Sequence, residues 1–487
     1  MAKAFVELVL IPSPAMGHVA GMLEFAKLLL HRSEEICITV VIIKLPDYID
    51  SVSGTFVDTV VASTHESRLR FFHMPPINPL PEWSSKTRGH FVYMLLQNQS
   101  THLKEFFHRR LQDAEADSAS PKIVGVIVDM LATQLMDVAV DLGIPTYVFF
   151  TSSAAFLGLM LHFQILQDEK GQDVTEFANS ETELDFPSYA NSVPPSVLPK
   201  VLVDKDTWQG RFHKFARDYR KAKGIIVNTF PSLESHAITA YNNSGDLPPL
   251  HTVGPIVNRA RPPPGEQICG RIMKFLNEQP PESVVLVCFG SQGSLPEEQV
   301  REIADGIERS GFRFIWSLRR PPLREDENRK AQFPGDYTDY EEILPAGFLG
   351  RTAGTGLVAG WVPQLDILSH KAVGGFVSHC GWNSVMESIW CGVPIATWPV
   401  HSEQQVNAFQ LVRELGIAVE ISLDYCERSV RGAGNGMAVT AEQIERGIKR
   451  VMEDCGVRKK MAEMKAESRK ACEDGSHIST LIARLIT

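Results

Sequence analysis

WVPQLDILSHKAVGGFVSHCGWNSVMESIWCGVPIATWPVHSEQ, residues 361–404, carries the densest pattern in the 487-residue chain. Within it GGFVSH reads as a buried strand, His379-Cys380-Gly381 as a tight turn, and a helix opens near Asn383. VPIATWP reads as the next strand, with a helix at 403–415. A glycine turn between strand and helix aims unsatisfied N–H groups at one point, and the helix dipole favours an anion there. Asn383 and Ser384 add short-range donors and His379 adds another, which makes a phosphate cradle without a lysine. Without an anion, Asn383 and Ser384 are ordinary caps. Glu387 follows Ser384 by three residues and lies on the same side of the helix start, where it can accept from ribose hydroxyls. Trp361 ends another strand and is either a flat face for a base or plain core. Glu403 and Gln404 open the last helix. They suit adjacent sugar hydroxyls, or Glu403 is simply a first-turn acid complementing the dipole.

The alternation extends in both directions. FVELVLIP (5–12), CITVVII (37–43), IVGVIVD (123–129), TYVFF (146–150) and KGIIVNTF (223–230) are apolar runs separated by helical patterns. In the first helix Val19, Met22, Leu23, Ala26, Leu29 and Leu30 recur at helical spacing. HTVGPIVNRARPPPGEQICG (251–270) interrupts the series, which restarts with SVVLVCFG (283–290), RFIWSL and TGLVAGWVP. Continuous Val/Ile runs between helices mark parallel strands covered on both faces. The expected fold is α/β, with two doubly wound Rossmann-like lobes facing across a cleft. The expected boundaries are 1–250, a linker at 251–270, and a second lobe at 271–465, followed by a charged helical tail.

Ligands of such sheets bind beyond the carboxyl ends of the strands. His18 follows the first strand and Asp129 ends IVGVIVD, so both belong there. An imidazole with a pKa near 6.5 suits a general base, and a buried carboxylate on its far nitrogen would orient it. Alone, His18 is a helix-turn histidine and Asp129 an N-cap of the segment that follows; capping and orienting are compatible roles.

Composition narrows the partners. The formal net charge is −10, with 44% apolar and 22% charged residues. That is globular, and it disfavours nucleic acid and anionic membranes as partners. No apolar run approaches 18 residues, so no membrane span is expected. FVELVLIP contains Glu7 and runs straight into a helix pattern, so it reads as a core strand rather than a secretory leader. Eight cysteines lie mostly in apolar runs, without CxxC or zinc spacing. They are expected to be reduced thiols of a cytoplasmic protein, and a monomer is the default. Asp204-Lys205-Asp206 has the D-x-D form of metal-dependent transferases but follows no strand. Gly432–Gly436 lacks a strand-to-helix context, and the charged 320–342 run reads as solvated surface. No G-x-G-x-x-G follows the first strand, which speaks against a dinucleotide oxidoreductase.

The 361–404 segment resembles the signature box of the plant family-1 UDP-glycosyltransferases. The likeness covers nearly the whole chain, through the early Gly17-His18, the FGS turn at 289–291 and HCGWNS at 379–384. It implies a GT-B fold whose C-terminal helix, 466–487, packs back on the first lobe. The implied reaction is metal-independent and cofactor-free: inverting transfer of glucose from UDP-glucose to a hydroxyl of a small hydrophobic acceptor (phenolic, flavonoid or terpenoid). His18 would be the base and Asp129 its partner. Trp361 would stack on uracil, Gln364 would assist at the nucleoside, and Glu387 would hold the ribose. Ser291, His379, Asn383 and Ser384 would contact the diphosphate, while Thr151, Trp382, Glu403 and Gln404 would face the sugar. The closing Gln404 implies glucose where a histidine implies galactose, and Trp382 argues against glucuronate. The chain departs from the family pattern at Val400-His401-Ser402, which leaves the surroundings of the sugar open. FVYMLLQ (91–97) and FFTSSAAFLGLMLHF (149–163) are either an apolar acceptor wall or core.

Overall fold

The structure is a computed structural model that describes residues 5–78, 83, 88–118, 120–205, 208–257, 266–322, 334–425 and 438–486. Asp206, the Gly432–Gly436 run, Cys426 and the centres of the 251–270 and 320–342 stretches lie outside the described residues.

The first sheet has seven strands: β1 (Val6–Ile11), β2 (Ile36–Ile42), β3 (Leu69–His73), β4 (Lys122–Asp129), β5 (Thr146–Phe150), β6 (Gly224–Val227) and β7 (Leu250–Thr252). Their order is β3-β2-β1-β4-β5-β6-β7, all parallel. The chain continues through β8 (Val284–Cys288), β9 (Arg313–Ser317), a small antiparallel pair β10 (Arg319–Arg320) and β11 (Gly335–Asp336), β12 (Gly356–Ala359), β13 (Val373–Ser378), β14 (Ile395–Thr397) and β15 (Ala418–Glu420). The second sheet runs β12-β9-β8-β13-β14-β15, again parallel.

Side-chain alternation explains the unbroken apolar runs. In β1, Val9 and Ile11 enter one core cluster while Leu8 and Leu10 enter another on the opposite face. In β8, Leu286 and Val287 divide in the same way. Strands covered on both faces have no polar side to show.

Strand order supplies what periodicity could not. In the first sheet the direction of winding reverses between β1 and β4; in the second it reverses between β8 and β13. Such switch points open a crevice beyond the strand ends. His18 and Asp129 follow β1 and end β4, whereas Ser291 and His379 follow β8 and β13, so all four sit at these two crevices.

Some boundaries differ from the sequence reading. The stretch 251–270 begins inside β7 and ends inside the helix Glu266–Asn277, because a three-residue edge strand leaves no periodic trace. The expected 403–415 helix is α-helical over Gln404–Phe409, then widens to a turn closed by Leu415 N–H on Gln410 O at 3.0 Å. In the described part of the charged 320–342 run Gly335 and Asp336 are exposed, as a solvated surface requires, and Asp336 nonetheless pairs with the buried Arg319.

The last helix, Ser476–Leu485, lies on the first sheet. Ile478, Leu481, Ile482 and Leu485 share a core cluster with Leu8 and Leu10. The preceding helix, Cys455–Asp474, lies on the second lobe, where the Arg469 guanidinium covers the Trp390 ring.

Candidate active site

His18 stands in the first turns of the helix Met16–Arg32, at the mouth of a cleft of about 600 Å³ between the lobes. Its Nδ1 lies 2.8 Å from Oδ2 of Asp129. Asp129 is fully buried, and its other oxygen accepts from the Leu131 N–H at 2.9 Å. Asp129 thus closes a local turn with Leu131 and contacts the imidazole, but it is not the N-cap of the following helix, Thr133–Leu135, which starts after Ala132 without a side-chain cap. The Thr151 hydroxyl lies 3.3 Å from the same Nδ1, so Thr151, just after β5, adjoins His18. Among the described residues Nε2 has no hydrogen bond. The His18 side chain is 24% exposed. Burial works against its charged form, but the charge and hydrogen bond of Asp129, with the more distant Glu403, outweigh it and raise the pKa above the ordinary imidazole value.

Across the cleft, β13 ends at Ser378 and the chain turns through His379-Cys380-Gly381 into the helix Trp382–Cys391. Cys380 has φ of 62°, a left-handed conformation unusual for a side-chain-bearing residue, and its N–H is held by the Ser378 hydroxyl at 3.1 Å. No side chain caps this helix, so its first N–H groups remain directed at the turn. The His379 ring is set between two glycines. A Cβ on Gly290 or on Gly381 would lie 2.6 Å from its Nε2, and Gly290 also has φ of +77°. His379, Ser291, Asn383 and Ser384 all line the cleft. Asn383 donates to Gly17 O of the first lobe at 3.3 Å, which ties the cradle to the loop that carries His18.

Trp361 lines the cleft just after β12, with the Arg319 guanidinium 4.9 Å from its ring centroid. Arg319 is buried and anchored by Asp336 at 2.9 Å and by Gly335 O at 3.1 Å. Sequence reasoning missed this backing because Asp336 lies inside the charged 320–342 stretch, which reads as solvated surface. Gln364 Nε2 donates to Ser384 Oγ at 2.9 Å and to Glu387 Oε2 at 2.7 Å. Glu387 is fully buried behind it and does not line the cleft, so Gln364 is the member of this pair that meets a ligand first.

Trp382 is buried and its indole N–H donates to Asn228 O of the first lobe at 2.8 Å. That N–H is spent on joining the lobes. The Glu403 carboxylate accepts from Ser152 Oγ at 3.1 Å, again across the lobes, and burial raises its pKa despite that bond and the nearby His18. Gln404 is bound to its own loop through Val400, His401 and the His401 ring. Two further cross-lobe partners gave no sequence signal. Glu234 receives the N–H groups of Ala154 and Ala155 at 2.8 and 3.0 Å, and Gln410 at 3.3 Å. Ser153 pairs with Asn407 at 3.1 Å. Met130, Leu131, Trp208 and Phe212 give the first-lobe wall of the cleft its apolar character. Among the described residues no cluster of three His, Cys, Asp or Glu is arranged to hold a metal ion, and no helix is long and apolar enough to cross a membrane.

A family model described as UDP-glucoronosyl and UDP-glucosyl transferase matches residues 247–444. UDP-glycosyltransferase 71A15 of Malus domestica is 44% identical, over 99% of this chain and 98% of its own length. The chain belongs to the plant family-1 UDP-glycosyltransferases. UDP-glucose flavonoid 3-O-glucosyltransferase 6 of Fragaria ananassa is 45% identical to this glycosyltransferase, over 98% of the chain and 97% of the relative. A ugt transferase from Siraitia grosvenorii, solved with UDP, aligns with a TM-score of 0.86 and 40% identity over 99% of this chain and all of that one. A Medicago truncatula UGT solved with UDP-glucose gives 0.85 and 37%, covering 99% of each. The glycosyltransferase thus has the GT-B architecture, and its two switch-point crevices open into one cleft.

Proposed function

We propose that this glycosyltransferase moves glucose from UDP-glucose to a hydroxyl of a small hydrophobic acceptor, with inversion, using His18 as base. The observation that carries the reading is the 2.8 Å contact of His18 Nδ1 with buried Asp129, which leaves Nε2 for the acceptor. The glucose donor and the phenolic or flavonoid acceptor rest on the Fragaria and Medicago relatives; a terpenoid rests only on the apolar wall.

The acceptor O–H donates its proton to Nε2 while its oxygen attacks the anomeric carbon from the face opposite UDP. The bond from that carbon to the β-phosphate oxygen breaks, and UDP leaves with the electron pair. Asp129 stabilises the imidazolium, and the proton passes to solvent after the glucoside departs. Charge growing on the diphosphate meets the N–H groups that open the helix Trp382–Cys391, with His379, Asn383, Ser384 and Ser291 around it. In this reading Trp361 stacks on uracil, Gln364 holds the nucleoside and ribose with Glu387 fixing its amide from behind, and Glu403, Gln404, Thr151 and the Trp382 backbone face the glucose. Residues 1–250 bind the acceptor and 271–465 the UDP-sugar. None of the seven described cysteines is in a disulfide, which suits a cytoplasmic setting.

His18→Ala tests the base. With UDP-glucose and an aliphatic alcohol, UDP release should fall about 10²–10⁴-fold, and less for an acidic phenol that ionises unaided. Turnover at the wild-type rate with both acceptor types would remove His18 from the chemistry.

A further inference from the structure

Gln404 has more partners within its own loop than a ligand-facing amide needs. Its Oε1 accepts from the backbone N–H of Val400 at 2.9 Å and of His401 at 3.0 Å. Two donors on one oxygen fix which way the carboxamide points, because its NH₂ group cannot face them. Nε2 then lies 3.1 Å from Nδ1 of His401. An amide NH₂ only donates, so Nδ1 must accept and the ring carries its proton on Nε2. Ser402 sets its hydroxyl 3.2 Å from the same Nδ1, from a backbone with φ of 60°. Both acceptor sites of the Gln404 carbonyl are used, and so is one hydrogen of its amide. The second amide hydrogen is what the side chain has left for a ligand. Gln404 is therefore preset as a donor, beside Glu403, whose carboxylate already accepts from Ser152 Oγ.

We propose that His401 is a positioning residue for donor-sugar selection. By accepting from Nε2 it holds the Gln404 carboxamide in one orientation. One hexose hydroxyl then accepts from Gln404 while its neighbour donates to Glu403. This rests on the reading of UDP-glucose as donor. An epimer with one of those hydroxyls turned from equatorial to axial cannot serve both groups, so the fixed amide is what makes the pair discriminating.

The test compares His401→Leu and His401→Asn with wild type in the full chain, measuring kcat and KM for UDP-glucose and UDP-galactose, the inhibition constant of UDP alone, and Tm. The Asn side-chain oxygen stands near the position of Nδ1 and can take the same hydrogen. His401→Leu should raise KM for UDP-glucose about three- to tenfold, the worth of one neutral hydrogen bond. It should narrow the glucose-to-galactose ratio of kcat/KM by a similar factor and leave UDP inhibition unchanged. His401→Asn should stay within about twofold of wild type in all of these. The proposal is overturned if His401→Leu keeps the wild-type KM and ratio. It is equally overturned if UDP inhibition weakens in step with KM, which marks general disruption of the site, or if Asn fails where Leu does. A wild type that turns over UDP-galactose in preference to UDP-glucose would overturn the donor reading itself, and this inference with it.

Discussion

Asp129→Asn isolates the carboxylate charge with little change in volume. Asp129 accepts two hydrogen bonds, from His18 Nδ1 and from the Leu131 N–H. An asparagine has one oxygen and can satisfy only one of them as acceptor. If that oxygen stays on Leu131, the new NH₂ faces Nδ1 and forces the ring proton onto Nε2, the tautomer that cannot take a proton from an acceptor there. If it turns to Nδ1, the Leu131 N–H is left against an NH₂ group at the buried strand end. Two unit charges about 4 Å apart interact by about 4 kcal/mol at an effective dielectric near 20, which sets the scale of what the imidazolium loses. We expect kcat/KM for an aliphatic alcohol to fall about 10²–10⁴-fold. The pH profile carries the sign. In the wild type Asp129 holds the His18 pKa above its usual value. The base is neutral only above that raised value, so the acidic limb lies above about pH 6.5. Without the carboxylate, burial dominates and lowers the pKa, so the limb moves to lower pH while the plateau drops. Initial rates from pH 5 to 9 with saturating UDP-glucose measure both. A variant with a wild-type plateau, or with its limb moved upward, would refute the orienting role.

Trp361→Ala removes the ring on which the proposed function stacks uracil, together with its contact to Arg319. Base–aromatic stacking is worth about 1–3 kcal/mol, so KM for UDP-glucose should rise about 5- to 150-fold with acceptor KM little changed. Gly290→Ala puts a Cβ 2.6 Å from His379 Nε2 at a φ of +77°. A left-handed alanine costs about 1–2 kcal/mol before any movement of the ring, so Tm should fall and UDP binding by calorimetry should weaken. The folded His18 pKa is raised, so the ion pair with Asp129 stabilises the fold fully below the unfolded imidazole pKa and is lost as pH rises through the folded value. The Tm gap between wild type and Asp129→Asn should therefore be wider at pH 5.5 than at pH 8.5.

Much of the fold was legible because buried parallel strands advertise themselves. TYVFF was read at 146–150 and is β5 over the same residues, every one of them buried. LRFFH, by contrast, forms β3 at the edge of the sheet, and its exposed Arg70 and His73 break the apolar run. β7 and β15 are three residues each, too short to show a period. At the site, His18 and Asp129 were legible as strand-end residues, but their contact spans 111 positions and depends on β1 pairing with β4. That pairing is a property of strand order, which hydrophobic patterning does not encode. For the same reason the Trp382 indole bond to Asn228 and the Ser152–Glu403 bond, which bring the lobes together, left no mark in local sequence. Spacing alone puts Glu387 on the side of the helix start that faces a ligand, whereas its position behind Gln364 follows from packing between two helices.

The most direct test is a crystal structure with a non-transferable fluorinated UDP-glucose and an aliphatic alcohol acceptor. We predict the acceptor oxygen within about 3 Å of His18 Nε2 and within about 3.5 Å of the anomeric carbon, on the face away from the diphosphate. A hexose bound where Nε2 cannot reach the attacking oxygen, or with the diphosphate between them, would contradict the account.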